Sequence, residues 1–253
     1  MNMAIIRSVK ETQSQTVRWL LLGAITGLVF IPVAFSTDLW IATRVNDQSI
    51  PGDIRAILNR AESFAHLVGV GFILLTIGVA APHLRRQIKA ILWMLACVGV
   101  AVFSIKISLI RIRPRGGAAA EFDSVWETFQ GISPTISKFD FSQITNSNLQ
   151  SFPSGHTATA VTLAVGLSLV YPRARYVFLL LALLAGSQRI SSSAHYLSDV
   201  VAGTVLALIL CAILLWTPFF GHAFFGTNSS PLKATPKNPT SPDQPDRVEK
   251  PES

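Results

Sequence analysis

The stretch Pro153–Asp199, PSGHTATAVTLAVGLSLVYPRARYVFLLLALLAGSQRISSSAHYLSD, decides the fold. It holds two apolar runs separated by the basic turn Pro172-Arg173-Ala174-Arg175 and bracketed by His156 and His195, 39 positions apart. Two bilayer crossings need about 40 residues at a helical rise of ~1.5 Å each. The chain therefore leaves His156, crosses, turns, and returns to the same face near Arg189 and His195. Asp199 follows His195 by four positions, so the two are neighbours on one helical face.

Working outward, the rest of the chain has the same character. Of the 253 residues, half are hydrophobic and 14% are charged, and the mean hydropathy is +0.45. A soluble domain carries about a quarter charged residues. The expected fold is therefore all-α, a polytopic membrane protein with six transmembrane helices near 19–35, 64–81, 88–110, 157–171, 176–194 and 200–220. Domains are expected as an N-terminal segment 1–18, a six-helix membrane domain 19–225 and a disordered tail 226–253, the last because prolines and polar residues dominate it. The basic run before Trp19 is long and lacks a small-x-small cleavage site, which favours a retained helix over a signal peptide. The net charge of +7 is scattered between apolar segments and forms no basic face, which argues against nucleic acid as a partner. Cys97 and Cys211 lie in apolar runs without metal spacing and read as packing residues.

The loops sort by charge. Twelve of the 21 Lys and Arg fall on the side of the termini and of the turns at Arg85-Arg86 and Arg173–Arg175, and nine on the other. Cytoplasmic loops are rich in Lys and Arg, so both termini are expected inside, and the polar clusters outside, on the periplasmic face of a bacterial inner membrane. In the long outer segment, Phe122, Val125, Trp126 and Phe129 recur at i, i+3, i+4, i+7. This is the stripe of a surface helix, either interfacial or packed on the protein. Asp53–Phe64 reads as a second such helix.

Lys106 and Arg113 stand at the outer end of the third run, seven positions apart, about two helical turns. Pro114 disfavours helix at Arg113, so the last turn opens there. Lys106, Arg113 and Arg189 supply three cations, and arginine forks match phosphate oxygens two at a time. Ser154 and Gly155 stand at a helix start, where free N–H groups and the dipole favour an anion. Two histidines there can divide the work, one attacking phosphorus and the other protonating the departing oxygen. A carboxylate beside the attacking ring fixes its tautomer, the role suited to Asp199 beside His195. No Asp/Glu cluster offers a magnesium site and no Cys/His group a zinc site, so neither metal nor cofactor is expected. His66 reads as packing or interface, and Arg111 and Arg115 as solvated surface arginines.

These residues resemble the tripartite signature of the type 2 phosphatidic acid phosphatase superfamily, K-x6-R-P, P-S-G-H and S-R-x5-H-x3-D. Lys106 with Arg113-Pro114 and Pro153-Ser154-Gly155-His156 are complete. Arg189, His195 and Asp199 keep the third spacing, with Gln188 where the family has serine. The resemblance implies a lipid phosphate phosphatase with His195 as nucleophile forming a phosphohistidine, Asp199 orienting it and His156 protonating the leaving oxygen. Lys106, Arg113, Ser154, Gly155 and Arg189 would bind the phosphoryl group. Two alternatives stay open: a lipid phosphotransferase, and a non-enzymatic transporter or scaffold on the same fold. The expected partner is a lipid phosphate, whether phosphatidate, phosphatidylglycerol phosphate, polyprenyl pyrophosphate or lipid A.

Overall fold

The computed structural model describes residues 3–47, 50–132 and 146–226. Most of the tail expected to be disordered therefore lies outside the described residues. Helix α1 spans Met3–Asp47, much longer than the run expected at 19–35. Its hydroxyls bond back to the preceding turn, Thr26 to the Leu22 carbonyl and Thr37 to that of Val33, both at 3.0 Å. Polar side chains are thereby satisfied inside the helix itself. Trp19 and Trp40 are both exposed on α1. Twenty-one positions at ~1.5 Å separate them by about 30 Å, the thickness of a bilayer's hydrocarbon core.

Helix α2 (Gly52–Ala61) and a 3-10 turn at Glu62–Phe64 lead into α3 (Leu67–Ala80), with a bend of 63°. His66 caps α3, its ring nitrogen Nδ1 accepting from the Val68 N–H at 3.4 Å. Helix α4 (Arg85–Ser108) passes into strand β1 (Leu109–Arg111), paired antiparallel with β2 (Phe129–Ile132). This small ribbon departs from the all-helical expectation. The alternation Ile110-Arg111-Ile112-Arg113 before Pro114 suits extended chain.

The expected surface helix around Phe122–Phe129 is not formed. Only Val125–Thr128 make a 3-10 turn, and Phe129 begins β2. The aromatic residues instead pack on one another, Trp126 stacking on Phe35 at 5.4 Å and Phe129 meeting Phe152 edge-on at 5.9 Å. Tertiary packing overrides the local helical period, because ring–ring contacts outweigh a few tenths of a kcal/mol per residue of propensity, although Trp126 itself stays exposed.

Helices α5 (Gly155–Val170), α6 (Arg175–Ser191), α7 (Leu197–Trp216) and the short α8 (Pro218–Phe224) complete the described chain. Helix α5 lies in the middle of the bundle, packed by α4, α6 and α7, and α1 runs along α7. A methyl on Gly27 of α1 would lie 2.5 Å from Val205 of α7, so glycine sets that close approach. The core gathers Phe64, Leu74, Ile91, Leu163, Leu167 and Ala185.

Within α1, α4 and its preceding turn, and α7 lie three helices long and apolar enough to cross a membrane, and α2 with α3 makes a fourth if the bent pair is one span. Large apolar side chains such as Val29, Phe72, Trp93 and Val100 face outward from these helices. Such surfaces need lipid around them, and the chain is a membrane protein. Helices α5 and α6, of 16 and 17 residues, lie where the two remaining spans were expected, but are shorter than the ~20 residues a crossing needs.

Candidate active site

The polar residues gather at one end of the bundle: the last turns of α4 and α6, the first turns of α5 and α7, and the loop before α7. Lys106 Nζ and Arg113 Nη2 both donate to the Gln150 carbonyl, at 2.6 and 3.4 Å. One carbonyl thus holds two cations that the sequence places seven positions apart. Burial above all, then the like charges of Arg115 and Arg189, lower the Arg113 guanidinium to about 10. It remains a cation at neutral pH.

Ser154 caps α5. Its Oγ accepts from the Thr157 N–H at 3.4 Å, and its own N–H donates to the Asp199 carbonyl at 2.9 Å. A Cβ on Gly203 would stand 2.5 Å from the Ser154 carbonyl oxygen. The glycine therefore lets α7 press directly on the start of α5. Gly155 and His156 follow the cap, where N–H groups have no intrahelical acceptor. Gly155 sits against α4, a Cβ there lying 3.9 Å from Lys106 Cε.

His195 is buried, and its Nδ1 stands 3.5 Å from Asp199 Oδ2, close enough for an ion pair but without a formed hydrogen bond. Its Nε2 is the nitrogen left for a substrate. Burial pushes the imidazole down to about 4, Asp199 opposes this, and Lys106 and Arg113 add to it. Asp199 Oδ2 accepts from the Ser151 hydroxyl at 2.5 Å and the Tyr196 N–H at 2.9 Å.

Arg189 is buried and donates Nη1 to Glu62 Oε1 at 2.5 Å. The same carboxylate oxygen lies 4.0 Å from His156 Nε2, and His156 is about a third exposed. His66 faces His156 with ring centroids 6.1 Å apart, so it borders the site while capping α3. Gln188 is buried and donates to Asn59 at 3.4 Å. The expected phosphate-binding and catalytic residues are thus all at one end of the bundle, contributed by α4, α5, α6 and α7 and the segments between them.

Three partners escape sequence reasoning. Arg111, expected at the solvated surface, is fully buried and pairs with both Asp199 and Asp38. Its guanidinium sits 4.3 Å from the Tyr196 ring centroid and 4.6 Å from that of Phe129. Asp38 was not singled out, although a carboxylate inside an apolar run is itself a signal. Glu62 carried no signal, since one acid in a polar segment is ordinary. Among the described residues no group of three His, Cys, Asp or Glu side chains is disposed to hold a metal ion.

A cavity of about 620 Å³ opens from this end between α3, α4 and α5. Lys106, His66 and His156 are its polar lining at the site end, and Val70, Leu95, Val98, Val102 and Phe103 line the rest.

The chain belongs to the PAP2 superfamily, whose sequence model matches residues 87–222. Among known relatives, it is similar to the lipid A 1-phosphatase of Rhizobium johnstonii, 41% identical over 58 residues, covering 23% of this chain and 24% of the relative. The lipid A 1-phosphatase of Rhizobium etli is 43% identical over 54 residues, 21% and 23% of the two chains. The bacitracin transport permease protein BcrC of Bacillus licheniformis is 32% identical over 84 residues, 33% and 39% of the two chains. The chain thus spans only a quarter to two fifths of the length of these relatives. No solved structure matches.

Proposed function

We propose that this protein is a metal-independent phosphatase that hydrolyses a phosphomonoester or pyrophosphate on a lipid headgroup through a phosphohistidine on His195. One observation carries the reading. Arg113 Nε and Arg189 Nε are both buried without an acceptor among the described residues, beside Lys106, the start of α5 and two histidines. Buried donors want partners, and an anion with several oxygens is what this set lacks. The family and the names of the two rhizobial relatives support a lipid phosphate as that anion. The apolar cavity supports it further, since Lys106 and His156 line it at the site end and its apolar walls suit an acyl or prenyl chain.

In the first step the Nε2 lone pair of His195 attacks phosphorus as the bond to the lipid oxygen breaks. His156 gives that oxygen a proton, and the His195 Nδ1–H is held by Asp199. In the second step water attacks phosphorus, His156 takes its proton, and the N–P electron pair returns to His195. The three cations stabilise the charge on the phosphoryl oxygens that a metal stabilises elsewhere. The architecture we propose is six spans, with the short α5 inside the bundle and the short α6 on its flank, both termini cytoplasmic and the site on the periplasmic face of an inner membrane. Trp40 near Asp38 supports a site at interfacial depth.

The test is phosphate release by the purified protein in detergent, with chelator present, from phosphatidate, phosphatidylglycerol phosphate, polyprenyl pyrophosphate and lipid A 1-phosphate. At least one should be hydrolysed, and His195→Ala should abolish it. Equal activity, or none, for both proteins across the panel would end the proposal.

A further inference from the structure

Helix α1 sends one carboxylate into this end of the bundle. Asp38 is fully buried. Its Oδ2 accepts from Arg111 Nη2 at 2.7 Å and from the Ser198 hydroxyl, and its Oδ1 accepts from the Ser198 N–H at 2.9 Å. Arg111 is fully buried too. It donates Nη1 to Asp199 and to Ser198 Oγ, the latter at 2.7 Å, and Nε to Thr128 Oγ1 at 3.1 Å. No water reaches these groups to screen them, so their charges must balance locally.

The balance decides what His195 faces. Asp199 and Arg111 by themselves form a neutral pair, and a neutral pair supports a cationic imidazole poorly. With Asp38 the cluster is two carboxylates and one guanidinium, a net charge of −1. That is the charge an imidazole needs behind it when Nε2 takes a phosphoryl group and Nδ1 keeps its proton. The other charged groups acting on His195 are Lys106 from α4 and Arg113 from the segment after β1, both cations. Among the described residues, the Asp38–Arg111–Asp199 cluster is therefore the source of negative protein charge behind the ring.

We propose that Asp38 is a positioning residue for phosphoryl transfer: it anchors and balances Arg111, so that Asp199 stays fixed and effectively anionic toward His195. This rests on the phosphohistidine reading above. Asp38 lies outside the family-matched residues 87–222, so the signature motifs do not contain it. The role separates two functions of Arg111. It clamps Asp199 in place, and its own charge must then be cancelled from the far side. Asp38 also ties the first turn of α7 to α1 through the Ser198 N–H, which fixes the distance between the two helices at the depth of the site.

The experiment compares full-length wild type, Asp38→Asn, Arg111→Met, the double variant and His195→Ala in detergent on one hydrolysed lipid phosphate. Asp38→Asn keeps the shape and an acceptor for Ser198. It should lower kcat about tenfold or more, with KM within about twofold and the alkali-stable phosphoenzyme forming more slowly. The double variant removes one charge of each sign. Its kcat should exceed the value expected from multiplying the two single losses by at least about fivefold, because the two residues belong to one ion-pair network. Unchanged kcat in Asp38→Asn, or simple additivity in the double variant, would overturn the role of Asp38. Should Asp38→Asn fail to fold, nitrogen NMR of His195 in the wild type decides. The Nδ1–H tautomer is expected, and a dominant Nε2–H tautomer overturns the proposal. A wild type inactive on every lipid, or an active His195→Ala, overturns the phosphohistidine reading itself.

Discussion

The third of the molecule before residue 81 and the larger part after it are built from similar apolar helices but are used differently. In α7 the most apolar window is 44% buried, whereas in α1 it is 11% buried. The C-terminal part packs α5 among three neighbours and carries both histidines, Asp199, Arg189 and the α5 start. The N-terminal part mostly faces lipid, yet it places three polar side chains at the site: Asp38, Glu62 and His66. The chemistry resides where helix ends are locked by packing. The surrounding part supplies charge balance and one side of the apolar cavity, whose remaining walls are α4 and α5. Few contacts are needed for that, because in a dry interior one carboxylate acts at full strength.

The contrast can be broken most severely in the C-terminal part. Arg189→Ala removes a buried cation and its unpartnered Nε. It should lower kcat/KM by about 10²–10³-fold, the range seen when one preorganised charge stabiliser is lost, measured by steady-state phosphate release. Gly203→Val places side-chain atoms where even a Cβ would be 2.5 Å from the Ser154 carbonyl. Overpacking of this kind costs about 1–3 kcal/mol, so a lower thermal unfolding midpoint should accompany lost activity. An unchanged midpoint would show that α7 and the start of α5 are not in such close contact.

Glu62→Gln tests the N-terminal part. Its carboxylate occupies Arg189 Nη1, which a phosphate must share or displace. Removing the charge should tighten vanadate binding several-fold while leaving the fold unchanged. Weaker binding would mean that Glu62 helps the anion rather than competes with it. The smallest effect is a titration. His195 is pushed down to about 4 by burial, so its ring should stay neutral by NMR from pH 7 until near pH 4, with the signal assigned by its absence in His195→Ala. The sign for stability follows. The unfolded ring binds a proton near its ordinary 6.5 and the folded one only near 4. This group therefore removes stability as pH falls from about 6.5 toward 4.

Much of the site was legible without the structure, for a physical reason. Helical rise is a constant, so the 39 positions from His156 to His195 suffice to go out along one helix and back along the next to the same bundle end, and the four-residue step to Asp199 brings its carboxylate beside His195. Arg111 and the Phe122–Phe129 stripe were misread because both depend on distant partners. Arg111 meets Asp38 and Asp199 across 73 and 88 positions. In the aromatic stripe Trp126 meets Phe35 and Phe129 meets Phe152, and those ring contacts outweigh its helical period. Glu62 reaches Arg189 across 127 positions, because the turn between α2 and α3 carries it into the bundle end.

By itself the amino-acid order determined the apolar helices, the bundle end at which the motifs gather, and the identity of the family signature. All three follow from local spacing and from the cost of placing charge in lipid. Only the tertiary structure decided which charges are dry and what neutralises them. Whether an arginine is solvated or buried between two aspartates depends on which helices lie against it, and no local periodicity records that.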